Sequence, residues 1–190
     1  MFCPATRYIT ARSGMNLVRS LLLTRKRRIA TVALAVLALD QTTKAIVLSL
    51  LPGVGDEKTV LNGFFKFVHL QNTGAAWSLF HDKNGLLAVV AFAALLILFL
   101  SRHHFDSRTL PGQIAFGLIV GGILGNLIDR IRVHHVIDFL YFYLQRGGQP
   151  IGFPAFNVAD SAICTGVGLV FLLTLKQERE ANPAEPPAPK

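Results

Sequence analysis

Apolar residues fall into four long blocks, at about Ile29–Leu51, Asn84–Ser101, Gln113–Ile131 and Val158–Leu175. An α-helix needs about 20 mainly apolar residues to cross the hydrocarbon core of a bilayer, so each block predicts a spanning helix. Pro52 stops the first, and the second is the shortest. The 53–83 stretch is polar but dotted with aromatics. Its TVLNGFFKFVHL portion has the β-branched and aromatic content of two short strands, which predicts a small sheet outside the membrane. The following piece near Trp77–Phe80 is expected to lie at the membrane interface, where the amphipathic indole ring is favoured. The tail from Lys176, KQEREANPAEPPAPK, is charged and proline-rich and is expected to be disordered.

Composition agrees with a membrane protein. Of 190 residues, 52% are hydrophobic and 16% charged, and the mean hydropathy of +0.46 leaves too few polar groups to clothe a soluble domain. The net charge of +8 comes from clusters flanking the apolar blocks, a pattern of membrane topology rather than of nucleic-acid binding. Residues 1–28, the 102–112 loop and the tail carry twelve Lys and Arg, against six in the 53–83 and 132–157 loops with Arg130. The excess predicts cytoplasmic termini and places both large loops at the outer face. A cleaved signal peptide over Arg25–Ala38 is disfavoured, because the apolar run continues past Asp40 to Leu51. The chain thus divides into a basic extension (1–28), a four-helix domain (29–175) with outer loops at 53–83 and 132–157, and a tail (176–190). Met15 precedes a segment that already carries the basic flank, so residues 1–14 are expected to be dispensable.

Ionisable groups inside spans are costly and need a partner or a task. Asp40 and Lys44 in DQTTK lie one helical turn apart and can pair. In GGILGNLIDR, Asn126, Asp129 and Arg130 share a face, with Asp129 expected to hold the Arg130 guanidinium in plane. In the same block Gly117, Gly121 and Gly125 recur every four residues, a face for close helix packing. On the outer loop, Asn72 supplies an amide, and Gly74 lacks a side chain that would keep a peptide backbone away. Two apolar-flanked carboxylates, Asp138 in VIDF and Asp160 in FNVADS, stand at one membrane face and invite an aspartic dyad sharing one proton. Spacing alone also leaves open a proton relay, or a helix N-cap at Asp160. No HExxH or GxSxG occurs. His134 and Asp138 could share a metal only if the third helix reached them, and Cys3 and Cys164 have no metal-ligand spacing.

In this order and on these spans, DQTTK, NTGAAWS, GGILGNLIDR, VIDF and FNVADS resemble the bacterial lipoprotein signal peptidases, or signal peptidase II family, over about residues 29–175. The resemblance implies a four-helix all-α membrane protein with a small extracytoplasmic β-containing cradle. Its activity would be that of an aspartic endopeptidase of the bacterial inner membrane, cleaving prolipoproteins before their diacylglyceryl-modified cysteine. Asp138 and Asp160 would be catalytic. Asn72, Asn126, Arg130 and Asn157 would hold substrate or order the dyad, and Asp40, Lys44 and Asp129 would support it. No metal or organic cofactor is implied, and the expected partners are lipidated prolipoproteins and membrane lipid, with the chain a monomer. Trp77 stands where Phe is commoner in the family. Two other classes fit parts of the pattern: a proton-coupled transporter, disfavoured by too few spans and no half-to-half symmetry, and a non-enzymatic assembly partner packing through its glycine face.

Overall fold

A computed structural model describes residues 24–74, 83–100, 109–146 and 149–181. The elements run α1 (Arg25–Leu50), β1 (Glu57–Leu61), β2 (Phe65–Asn72), α2 (Asn84–Leu100), α3 (Leu110–Arg132), β3 (Val136–Arg146), β4 (Gln149–Gly152) and α4 (Val158–Ala181). Helices α1, α3 and α4 are long and apolar enough to cross a membrane; α2 is an apolar helix of 17 residues. Their apolar side chains point outward, with Leu34, Val89, Phe92 and Phe171 all more than 60% exposed, while Asp40, Lys44 and Asn157 are buried. Such an inverted surface is stable only where hydrocarbon replaces water.

Helix α3 is the centre of the bundle and packs on α1 and α4. Its glycine face makes this possible: a Cβ at Gly121 would come within 2.6 Å of the Ala33 carbonyl oxygen, and one at Gly125 within 2.6 Å of Asp40 Oδ2. The expected four-residue glycine spacing therefore faces α1. Thr109 caps α3, accepting from the Gly112 N–H at 3.2 Å, with Pro111 in the first turn.

The four strands form one antiparallel series in the order β1-β2-β3-β4. The 53–83 loop contributes β1 and β2 as its composition predicts, and the 132–157 loop contributes β3 and β4, which its non-alternating apolar pattern does not predict. Helix α3 ends at Arg132, and the chain turns through His134, at φ 63°, into β3. Asp138 therefore lies on a strand, and the helical relation to His134 that a shared metal would need does not arise. The sheet is seated on α1 by Val47, Leu51 and Phe139, with Phe67, Leu140 and Val158 packed around them. His69 Nδ1 donates to the Leu51 carbonyl at 2.9 Å and ties β2 to the same helix end.

At the sheet end, Asn84 Nδ2 donates to the Arg130 carbonyl at 3.1 Å, which sets the start of α2 beside the end of α3. Helix α4 continues through Lys176–Ala181, six residues into the stretch expected to be disordered. Its apolar block ends at Leu175, but the EREA segment is made of good helix formers and prolongs the helix until the prolines approach. The Trp77–Phe80 segment, the 1–23 extension and residues 182–190 lie outside the described residues.

Candidate active site

Asp138 and Asp160 come from different elements and line one cavity of about 910 Å³, together with Asn72, Gly74, Asn126 and Arg130. The register of β2 on β3 pairs Leu70 with Asp138 and Asn72 with Val136, so Asn72 and Asp138 are diagonal neighbours on one sheet face. Asn72 Nδ2 donates to Asp138 Oδ2 at 2.9 Å, and Asn157 Nδ2 donates to Asp138 Oδ1 at 2.8 Å. Asp160 is served in parallel: Asn126 Nδ2 donates to Oδ1 at 2.7 Å and the Asn157 N–H to Oδ2 at 3.2 Å.

Asn157 is the N-cap of α4, and Asp160 sits three residues in. The Asp160 N–H donates to Asn157 Oδ1 at 2.9 Å while the Asp160 carboxylate accepts from the Asn157 N–H, a reciprocal capping box. Asp160 is therefore not the N-cap that its place at the helix start suggests. Asn157 is fully buried because its side chain also reaches Asn126 Oδ1 (3.2 Å) and the Ile137 carbonyl (3.3 Å). One residue thus addresses both carboxylates.

The Asp138 carboxyl is pushed up to about 7, first by burial and then by the Asp160 charge; the amide donors and Lys44 pull the other way without reversing it. Near neutral pH it can therefore be found with or without its proton, which lets the pair hold one proton between them.

Asp40 and Lys44 pair as their spacing predicts, Nζ to Oδ2 at 2.8 Å, and both are buried. Asp129 differs from expectation. It faces Lys44 Nζ at 2.6 Å and Gln41 Nε2 at 2.9 Å across the α1–α3 contact, and it does not hold the guanidinium of Arg130. The next residue round a helix points about 100° away, and a buried carboxylate takes the cation its own face presents. Arg130 instead turns to the cavity and donates from Nη2 to the Gly74 carbonyl at 3.0 Å. Gly74 accordingly serves the site through its carbonyl, and its N–H donates to Asn72 Oδ1 at 3.0 Å. Gln41, which sequence reasoning passed over, donates to both Asp40 and Asp129. Its signal was present, an amide inside an apolar block beside a charge.

Residues 32–176 match the family model described as signal peptidase (SPase) II. The chain belongs to the signal peptidase II family. It is similar to the lipoprotein signal peptidase of Azoarcus sp. strain BH72, with 42% identity over 164 residues covering 81% of this chain and 88% of that protein. It is also similar to the lipoprotein signal peptidase of Aeromonas hydrophila, with 43% identity covering 78% and 90%. Among solved structures, a bacterial membrane enzyme superposes with a TM-score of 0.72 at 29% identity, covering 83% of this chain and 93% of the other. Membership makes the chain a membrane peptidase, and nothing in these relatives supports a transporter.

Proposed function

We propose that this signal peptidase is an aspartic endopeptidase that removes the signal peptide of diacylglyceryl-modified prolipoproteins, cutting before the lipidated cysteine. The observation that carries the reading is the convergence of Asp138 and Asp160 on one cavity, each held by amide donors. In such a pair the ionised carboxylate takes a proton from water as its oxygen attacks the scissile carbonyl. The protonated carboxyl gives its proton to the carbonyl oxygen. In the collapse of the tetrahedral diol the C–N bond breaks as the carboxyl that took the water proton passes it to the departing amine, and the other carboxylate takes back a hydroxyl proton, so the pair again holds one proton. The amide donors of Asn72, Asn126 and Asn157 fix the planes of the two carboxyl groups, and Arg130 with the Gly74 carbonyl lies along the cavity wall where a peptide would pass.

A four-span topology suits this chemistry. Helices α1 and α3 both run toward the sheet and α4 runs away from it, so the chain must return from β2 to the far end of α3, and α2 is the apolar helix that does so. Its 17 residues span about 25 Å, close to the thickness of a thin hydrocarbon core. With the basic excess on the side away from the sheet, the termini face the cytoplasm and the pair meets an outer-leaflet substrate at the interface. The substrate's acyl chains stay in the bilayer, so its scissile bond is presented at that depth. Partners are lipidated prolipoproteins and surrounding lipid, the working unit is a monomer, and no cofactor enters the scheme.

The test is incubation of the purified protein in detergent with a diacylglyceryl-modified prolipoprotein peptide and with its unmodified form. Cleavage of the modified peptide alone, lost in Asp138→Asn and Asp160→Asn, is expected. Cleavage that survives either substitution overturns the assignment.

A further inference from the structure

Behind the catalytic pair lies an ion cluster that does not line the cavity. Lys44 Nζ donates to Asp40 Oδ2 at 2.8 Å, to Asp129 Oδ2 at 2.6 Å and to Asn126 Oδ1 at 3.2 Å. Gln41 Nε2 crosses the same gap, with Asp129 Oδ1 at 2.9 Å, Asp40 Oδ2 at 3.2 Å and the Gly125 carbonyl at 3.3 Å. Each carboxylate also accepts one backbone N–H from another element. Asp40 Oδ1 takes that of Ala159 at 2.9 Å, and Asp129 Oδ2 that of Ile137 at 3.4 Å. Ala159 and Ile137 are the residues immediately before Asp160 and Asp138.

Strand β3 and helix α4 touch each other little, and both rest on α1 and α3. The separation of the two catalytic carboxylates is held on one side by the segment before α4, where Phe156 pairs with Leu140 and Asn157 donates to Asp138 Oδ1 and to the Ile137 carbonyl, and the α1–α3 seam bears on it from behind. We propose that Asp40, Lys44 and Asp129, cross-braced by Gln41, form a positioning frame that braces this separation from behind by gripping the backbone one residue upstream of each member of the pair. Gln41 is then a positioning residue for the reaction. It is the informative probe because it is uncharged: replacing it leaves Asp40, Lys44, Asp129 and Arg130, the charged groups around the pair, all in place. The inference rests on Asp138 and Asp160 being the catalytic pair.

The experiment compares wild type, Gln41→Met and Asp138→Asn in detergent with the diacylglyceryl-modified prolipoprotein peptide. Rates are expressed per folded molecule, and kcat, KM and the pH–rate profile are measured. Loosening the frame moves the carboxylates by a fraction of an ångström to an ångström, so kcat should fall about 10- to 100-fold with KM unchanged. The two limbs of the pH–rate profile should change their spacing, because the coupling of two carboxylates depends on their distance. A residue that only supports the fold would lower the folded fraction and leave kcat per folded molecule and both limbs as in wild type, and that result overturns the frame. If Gln41→Met does not fold, Gln41→Asn, whose amide falls one methylene short, is read by the same criteria. Activity in Asp138→Asn would instead overturn the catalytic reading, so the two failures are distinguishable.

Discussion

Asn157 and Asp160 hold each other reciprocally at the start of α4, the Asp160 N–H on Asn157 Oδ1 at 2.9 Å and the Asn157 N–H on Asp160 Oδ2 at 3.2 Å. A carboxylate of the proposed catalytic pair is thereby also the third-position partner of a helix cap, while the cap's own amide reaches across to Asp138 at 2.8 Å. Two functions meet in one side chain, and substitutions can separate them. Asn157→Asp keeps an acceptor for the Asp160 N–H but replaces the Asp138 donor with a third carboxylate. At pH values where that buried group is ionised it should abolish cleavage, and the melting temperature should fall as pH rises and the group loses its proton. Asn157→Ala removes the cap as well, at a cost of about 1 kcal/mol for that part alone. Melting curves in detergent alongside peptide cleavage read the difference, and an active Asn157→Asp would contradict the donor role.

The pH dependence of stability follows from Asp138. Its carboxyl titrates near 7 in the fold, against 3.8 in the unfolded chain, so between these values the folded state binds the extra proton. Its contribution to stability is complete below about pH 4, declines as pH rises toward 7, and is gone above it. Asp138→Asn deletes this decline, although its new N–H must face the amide donors of Asn72 or Asn157 and costs something at every pH. The melting temperature of the variant relative to wild type should therefore rise from pH 5 to pH 8. A difference that is flat with pH would show that the carboxyl is not held protonated in the fold.

Much of this site was legible in the sequence because membrane insertion makes polar residues conspicuous. The start of α4 at Val158, the Asp40–Lys44 pair and the two aspartates all stand out against apolar surroundings. Strands β3 and β4 were not legible, because FLYFYL is apolar and aromatic without strict alternation, and only its pairing with β2 makes it a strand. The partner of Asp129 was missed for a related reason. Helical spacing finds neighbours on one helix, whereas Lys44 and Gln41 reach Asp129 from another, across a contact that exists only because Gly121 and Gly125 let the two backbones meet.

Lys44 stands between two buried carboxylates, at 2.8 Å from Asp40 and 2.6 Å from Asp129, so its loss strands two charges where loss of Asp40 strands none fully. Lys44→Met should be the most damaging single change in the cluster, at about 3–5 kcal/mol. Adding Asp40→Asn to Lys44→Met should restore part of the loss, because one stranded charge is removed. A double-mutant cycle on thermal stability measures this coupling; strictly additive losses would mean that the three groups act separately.

The glycine contacts give the last prediction. A methyl at Gly121 would press on the Ala33 carbonyl at 2.6 Å, a backbone atom that can yield only if α1 and α3 move apart. A Cβ at Gly168 on α4 would have nothing within 4 Å, so an alanine there meets open space. Gly121→Ala should lose about 1–3 kcal/mol through overpacking, whereas Gly168→Ala should be neutral or gain up to about 1 kcal/mol from helix propensity. Moving α1 from α3 also opens the gap bridged by Lys44 and Gln41, so Gly121→Ala should lower cleavage per folded molecule although Gly121 lies outside the cavity. Melting temperature and cleavage rate of the two alanine variants decide the matter. Equal stability in both would mean that the close approach of α1 and α3 does not depend on the missing side chain, and full activity in a destabilised Gly121→Ala would separate helix packing from the geometry of the pair.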